Sequence, residues 1–192
     1  KKLLHISCMI LVLGLVQMKA QTYCSSVGSV DTLYRANITL VYTSGAQTGT
    51  NINNTTTCNS LTGSQGTATG IAGRYSDFTN SNVPKPIISR GGNFNLYVTT
   101  SSCLNAYYHS KVVFIDWNRD GSFSASEKYK MSSSPHMTTS NSLSITVPTN
   151  ASFGTIRMRI VHRQDTLLDS IQSCGLGYNS MWGTMGETED YS

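Results

Sequence analysis

The stretch VVFIDWNRDGSFSASE, Val112 to Glu127, decides the fold because it runs a strand pattern directly into a turn of defined chemistry. Val113, Ile115 and Trp117 alternate with the period of two expected of a half-buried strand. Asp116, Asn118, Asp120, Gly121 and Glu127 then occupy every specified place of the twelve-residue calcium-loop pattern D-x-[DN]-x-[DN]-G-x5-E. In such a loop Asp116, Asn118 and Asp120 offer side-chain oxygens, Ser122 its backbone carbonyl, Ser124 a direct or water-borne oxygen, and Glu127 two carboxylate oxygens. Gly121 permits the positive φ that folds the chain back over an ion. Three carboxylates about 5 Å apart repel by roughly 3 kcal/mol per pair at an effective dielectric near 20, a repulsion that a hard cation turns into attraction. Calcium suits a flexible set of oxygens better than magnesium, which holds to a strict octahedron. The competing reading is an Asx-rich turn, NRDG, joining two strands.

The flanks are not those of a helix–loop–helix unit. Lys111–Ile115 is β-branched and strand-like, and SASE, Ser124 to Glu127, is suited to capping one short helical turn on exit. The loop is therefore expected on a sheet, with the weak affinity of extracellular modules, Kd about 10⁻⁴ to 10⁻³ M.

The same alternation recurs in NITLVY (Ile38, Leu40, Tyr42), NFNLYV (Phe94, Leu96, Val98), SLSITV (Leu143, Ile145, Val147) and TIRMRIV (Ile156, Met158, Ile160). TSGAQTGTN, RGGN, NRDGS and PTNASFG punctuate these segments, and no window of a dozen residues keeps a helical apolar period. The fold expected is all-β, an antiparallel β-sandwich of jelly-roll or Greek-key kind with an EF-hand-like calcium loop between strands. Gly45 to Gly73 has the composition of a linker, but Cys58 in its middle argues that it is tied to the fold.

Residues 1–20 join Lys1 and Lys2 to an apolar run from Ile6 to Val16 that is too short to cross a bilayer, the form of a secretory signal peptide. Its removal takes Lys1, Lys2 and Lys19 and no acid, lowering the formal net charge from +4 to about +1. What remains, 21–192, is expected to be one domain, secreted or at the cell surface, with no membrane span and no basic patch for nucleic acid. Cys24, Cys58, Cys103 and Cys174 make an even set suited to two disulfides, with three connectivities open. No CxxC spacing favours zinc. The lack of a Met before Lys1 and the stop at Ser192 are read as signs of a fragment.

GETEDYS, Gly186 to Ser192, adds three acids, so two short stretches hold six of the ten in the chain. With VVFIDWNRDGSFSASE, ITVPTNASFGTIRMRIV and YSDFT in this order, the chain resembles the GEVED domain of secreted bacterial proteins, closely from about Phe94 to Tyr191 and more loosely from Tyr23 to Thr79. The resemblance implies a β-sandwich module in exported, often multidomain, proteins of Bacteroidota and related bacteria, with a molecular role that is not well defined. It matches Asp116, Asn118, Asp120 and Glu127 to the family's acidic loop, Glu187, Glu189 and Asp190 to its name motif, and Cys174 to the cysteine before that motif. It also implies a last strand after the motif, which this sequence does not reach.

Read on their own, Arg157 and Arg159 face away from Ile156, Met158 and Ile160, and are placed to pair with Glu187, Glu189 or Asp190 if the strands are neighbours. The alternative sends one of these acids to the calcium loop as an extra ligand. No HExxH, GxSxG or phosphate loop accompanies His109, His136 and His162, and a Glu127–Glu187 glycosidase pair would take both glutamates from likelier work. Tyr107, Tyr108, Tyr178 and Trp182 stand outside the alternating strands, as rings that stack on sugars or fill a partner's pocket do; core packing or a hydrophobic lid explains them equally well. The function expected is a non-catalytic, calcium-stabilised module for adhesion or recognition of a glycan or protein surface. The alternative is a passive spacer beside a secreted hydrolase or peptidase.

Overall fold

The computed structural model describes residues 22–26, 37–104, 106–131, 135–164, 167–175 and 185–192; the leader expected at 1–20, together with Tyr178 and Trp182, lies outside them. The strands in chain order are β1 (Asn37–Ser44), β2 (Asn53–Thr55), β3 (Thr62–Gly63), β4 (Gly66–Thr67), β5 (Thr69–Ile71), β6 (Tyr75–Asp77) and β7 (Asn93–Ser101). They continue as β8 (Tyr107–Tyr108), β9 (Ser110–Ile115), β10 (Lys128–Met131), β11 (Pro135–His136), β12 (Thr138–Thr146), β13 (Met158–Arg163) and β14 (Thr188–Tyr191). Helix among the described residues is limited to two 3-10 turns, Ala125–Glu127 and Leu168–Ser170. The protein is all-β, and each alternating segment of the sequence supplies one of the strands β1, β7, β9, β12 and β13.

Two sheets form the body, one ordered β12-β7-β1-β2 and the other β10-β9-β13-β14-β6-β5. Their pairings are antiparallel except that β14 runs parallel to β6. Ile38 and Val41 of β1, Leu96 and Val98 of β7 and Ile145 of β12 share one core cluster with Val113 and Ile115 of β9 and Ile160 of β13, so the sheets stack in a sandwich-like arrangement. Side chains such as Val113 and Ile160, with no exposed surface, each contribute about 1.5–3 kcal/mol by leaving water. Because β9 and β13 are buried on both faces, Val112, Phe114, Val161 and Ile171 form a second, smaller core on the outer side of the six-stranded sheet.

The face expected for β1 is corrected. Ile38 points inward, but a bulge between Ile38 and Leu40 shifts the register, so that Val41 and Thr43 follow it into the core. Leu40 is left half-buried and Tyr42 lies at the surface, where it meets Tyr97 of β7 across the pair at 5.3 Å between ring centres. An inserted residue reverses the side-chain parity beyond it, and alternation in the sequence carries no mark of the insertion.

The cysteines pair as Cys24–Cys174 and Cys58–Cys103. The second ties the Thr- and Asn-rich segment to the turn after β7; the first holds residues 22–26 against the six-stranded sheet, where Gly175 N–H donates to the Ser25 carbonyl at 2.7 Å. Three polar links cross between the sheets. The Ile38 N–H donates to Glu187, Asn54 of β2 donates to the Tyr191 hydroxyl, and the Lys111 ammonium reaches Thr100 of β7 and Thr139 of β12. Lys111 is fully buried among these hydroxyls, and loss of solvent lowers its pKa to about 8.

Candidate functional site

The loop leaves β9 at Asp116 and returns through the 3-10 turn to β10. Its local folding follows from side chains short enough to reach their own backbone: Asp116 accepts from the N–H groups of Asp120 at 3.2 Å and Gly121 at 3.0 Å. Asn118 accepts from Asp120 N–H at 2.9 Å, and Asp120 from Ser122 N–H at 2.8 Å and its hydroxyl at 2.7 Å. Those bonds with Ser122 hold the Asp120 carboxyl below its ordinary pKa. Gly121 takes φ 86°, and Arg119 also adopts a left-handed conformation. Glu127 closes the loop in a ring of donors, accepting from Trp117 N–H at 2.8 Å, Ser124 N–H at 2.9 Å and the Ser124 hydroxyl at 2.8 Å. Ser124 and Glu127 thus form a capping box on the exit turn.

Asp116 and Glu127 are both buried, and no Lys or Arg forms a salt bridge with either among the described residues. Their charge is met by N–H and O–H dipoles, including the Tyr23 hydroxyl, 2.6 Å from Asp116. Burial first and this hydrogen bond second raise the Tyr23 pKa. Such a set fits calcium in chemistry: all-oxygen donors on an irregular loop, with two carboxylates whose charge lacks a basic partner. In arrangement the loop is closed on itself. Among the described residues no three His, Cys, Asp or Glu side chains are gathered to hold a metal ion as they stand, and both Glu127 oxygens are engaged by the loop's own donors.

The acidic signature is divided between the two faces of β14. Asp190 points outward and grips Arg159 through Nε at 2.7 Å and Nη2 at 2.8 Å, while Arg157 adds a third contact at 2.7 Å. Burial opposes the Arg159 charge, but Asp190 outweighs it and holds the guanidinium above its ordinary pKa. Glu187 and Glu189 point inward. Glu187 accepts from the Ile38 N–H at 2.9 Å and the Ser76 hydroxyl at 3.0 Å, and Glu189 accepts from the Tyr191 hydroxyl at 2.9 Å. Burial first, and Glu187 second, push the Glu189 pKa well above the carboxylate range. Gly186, at φ +143°, lies so close to the His162 carbonyl that an added Cβ would stand 2.0 Å from it.

YSDFT proves to be the counterpart of this signature. Tyr75, Ser76 and Asp77 pair in parallel with Thr188, Glu189 and Asp190. Tyr75 donates to Asp190 at 2.9 Å, Ser76 to Glu187, and Phe78 stacks on Tyr191 at 5.1 Å and 13°. Asp77 lies 3.7 Å from Arg157 and anchors its own turn through the Thr79 N–H and hydroxyl. The loop and the signature meet at several points: Tyr23, bonded to Asp116, has its ring centre 4.6 Å from the Arg157 guanidinium, the Phe123 ring centre lies 5.4 Å from that of Arg159, and the Asp116 N–H donates to the Arg157 carbonyl at 3.0 Å. Sequence reading missed Tyr23 and Tyr75 as partners of acids; the composition YC and YSD carries no sign of which distant carboxylate each hydroxyl meets.

Of the aromatics singled out, Tyr107 and Tyr108 form the small ribbon β8 with β11, half-buried and 47% exposed respectively. They are not brought together with the loop. A separate apolar cleft of about 560 Å³, lined by Ile52, Phe94, Ile115, Trp117 and Met158, opens beside the exposed Phe153.

Fold and site define an all-β, sandwich-like protein with two disulfides, whose acidic signature is built into a central strand. Residues 111–192 match the family described as the GEVED domain. The match takes in the loop and the signature but less than half of the chain, and it begins after β7, which belongs to the other sheet. No curated protein and no solved structure matches the chain.

Proposed function

We propose that this protein is an exported, non-catalytic recognition or adhesion module, stabilised by calcium at residues 116–127 and acting within a secreted or cell-surface bacterial protein. The observation that carries this reading is that the acids a hydrolase would use are each committed to holding strands: Asp190 in the arginine fork, Glu187 on β1 and β6, Glu127 on its own loop. The two disulfides support an oxidising compartment. Calcium is supported by the burial of Asp116 and Glu127 without a salt bridge among the described residues. Asp116, Asn118, Asp120, the Ser122 carbonyl, Ser124 and Glu127 are the residues that would hold it, supplying charge neutralisation and no reaction chemistry.

Two measurements test this. Thermal melting in calcium and then in EGTA is expected to show a lower midpoint after chelation; identical midpoints would remove calcium from the account. The disulfide-intact chain, presented with polysaccharide and protein panels, is expected to bind at least one member without altering it. Failure to bind any would leave the spacer role, and hydrolysis abolished by Glu187→Gln would replace recognition with catalysis.

A further inference from the structure

The strands of the four-stranded sheet, NITLVYTS, NNT, NFNLYVTTS and TTSNSLSIT, contain no Asp, Glu, Lys, Arg or His. On the sheet face turned away from the core, exposed hydroxyls and amides bond to one another across the strands: Thr99 with Ser140 at 2.8 Å and Thr146 to Asn93 at 2.6 Å. In the middle of this face Tyr42 and Tyr97 are directly opposite, ring centres 5.3 Å apart and planes at 45°, with 36% and 37% of their surface exposed. Ser142 continues the same row on β12.

We propose that this outer face binds a neutral polysaccharide, with Tyr42 and Tyr97 as the stacking platform and the flanking hydroxyls and amides as its hydrogen-bonding partners. The inference rests on the recognition reading above and names its surface and ligand class. A pyranose ring has an apolar C–H face and a rim of hydroxyls, and this sheet face offers aromatic faces surrounded by groups that both donate and accept. Electrostatics select the neutral class. With no Lys, Arg or His in these strands, an anionic polysaccharide gains no ion pair there while losing solvation. A protein partner is disfavoured by the same composition, since protein interfaces concentrate their energy in buried Trp, Tyr and Arg anchors within an apolar centre, and this face holds no Trp or Arg.

The test is affinity electrophoresis of the full, disulfide-intact chain in gels cast with dextran, mixed-linkage β-glucan, xylan or galactomannan, with alginate as the anionic arm. Retardation by at least one neutral gel is expected, followed by calorimetric titration with that polysaccharide. Tyr42→Ala and Tyr97→Ala are expected to weaken binding at least tenfold, and Ser142→Lys to weaken it with the tyrosine pair untouched, which covers the case of a misfolded alanine variant. Neutral retardation that survives all three substitutions would overturn the assignment of the face while leaving recognition standing, as would loss of binding on Phe153→Ala, which would move the site to the apolar cleft. Retardation in alginate alone would overturn the ligand class. Self-association through the face, detected by sedimentation and abolished by Tyr97→Ala without any retardation in neutral gels, would assign the surface to a second copy of the chain. No binding to any neutral gel or to the wider panels would sink this inference together with the recognition reading.

Discussion

The two sheets of one sandwich-like body handle charge in opposite ways. The six-stranded sheet carries Lys111, Arg159, His162, Arg163, Glu189 and Asp190 at buried positions, each a risk to stability unless it is met by a partner or held neutral. The four-stranded sheet has no Asp, Glu, Lys, Arg or His in its strands and leaves a hydroxyl-lined face in water. The first sheet uses polar chemistry to fix which strands are neighbours; the second is free of that task, and its surface is open to a partner. Specificity of folding and specificity of binding are thus assigned to different layers.

The largest effect that would break this contrast is expected at Asp190. Asp190→Asn preserves shape but leaves the buried Arg159 guanidinium without its carboxylate, so about 3–5 kcal/mol of stability should be lost. Urea unfolding measures it, and a loss below about 1 kcal/mol would mean that the fork is not what orders β13 and β14.

Calcium removal comes next. With Kd about 10⁻⁴ to 10⁻³ M, 10 mM calcium contributes about 1.4–2.7 kcal/mol through mass action. Hydrogen exchange should place the loss on β9 and β10, which flank the loop, and spare β7 and β12. Uniform loss over both sheets would argue against a local ion.

The third effect is pH-dependent. Burial lowers Lys111 from 10.5 to about 8, so between those values the unfolded chain binds the extra proton. This residue's contribution to stability therefore rises with pH from about 8 to about 10.5, and below 8 the folded protein carries a buried cation at a constant penalty. Lys111→Met is expected to melt at or above wild type at pH 7 and to lose that part of the alkaline rise. A variant that melts well below wild type at pH 7 would show the ammonium to be a net stabiliser through Thr100 and Thr139. The smallest effect is expected on the other sheet. Ser142→Lys, on its solvent face, should change stability by no more than about 0.5 kcal/mol at any pH between 5 and 9.

Much of this layering was legible in the residues. NFNLYV, VVFIDW, SLSITV and TIRMRIV announced their strands because alternation is what a half-buried strand needs, and the same parity put Arg159 on the face opposite Ile160. The turn was legible because Asx side chains at alternate places can reach their own backbone, the arrangement the competing NRDG reading gave. NITLVY was half legible: its strand forms, but the bulge after Ile38 turned Tyr42 outward to Tyr97. The pairing of Arg157 and Arg159 with the acids of the signature was legible from strand parity and is met at Asp190, while the partners of Glu187 were not legible, because they come from β1 and β6, far away along the chain.

The sequence by itself determined the all-β class, most strand faces and the Asx-rich turn, since each depends on periodicity or short spacing within one segment, while the likeness of residues 111–192 to the GEVED domain rests on several motifs in order along the chain. Only the tertiary structure decided the cysteine pairing, the parallel match of YSDFT with GETEDY, the raised pKa of Glu189 and the outward turn of Tyr42. These depend on which distant segments are brought into contact, and on how far water is excluded there, which no local pattern encodes.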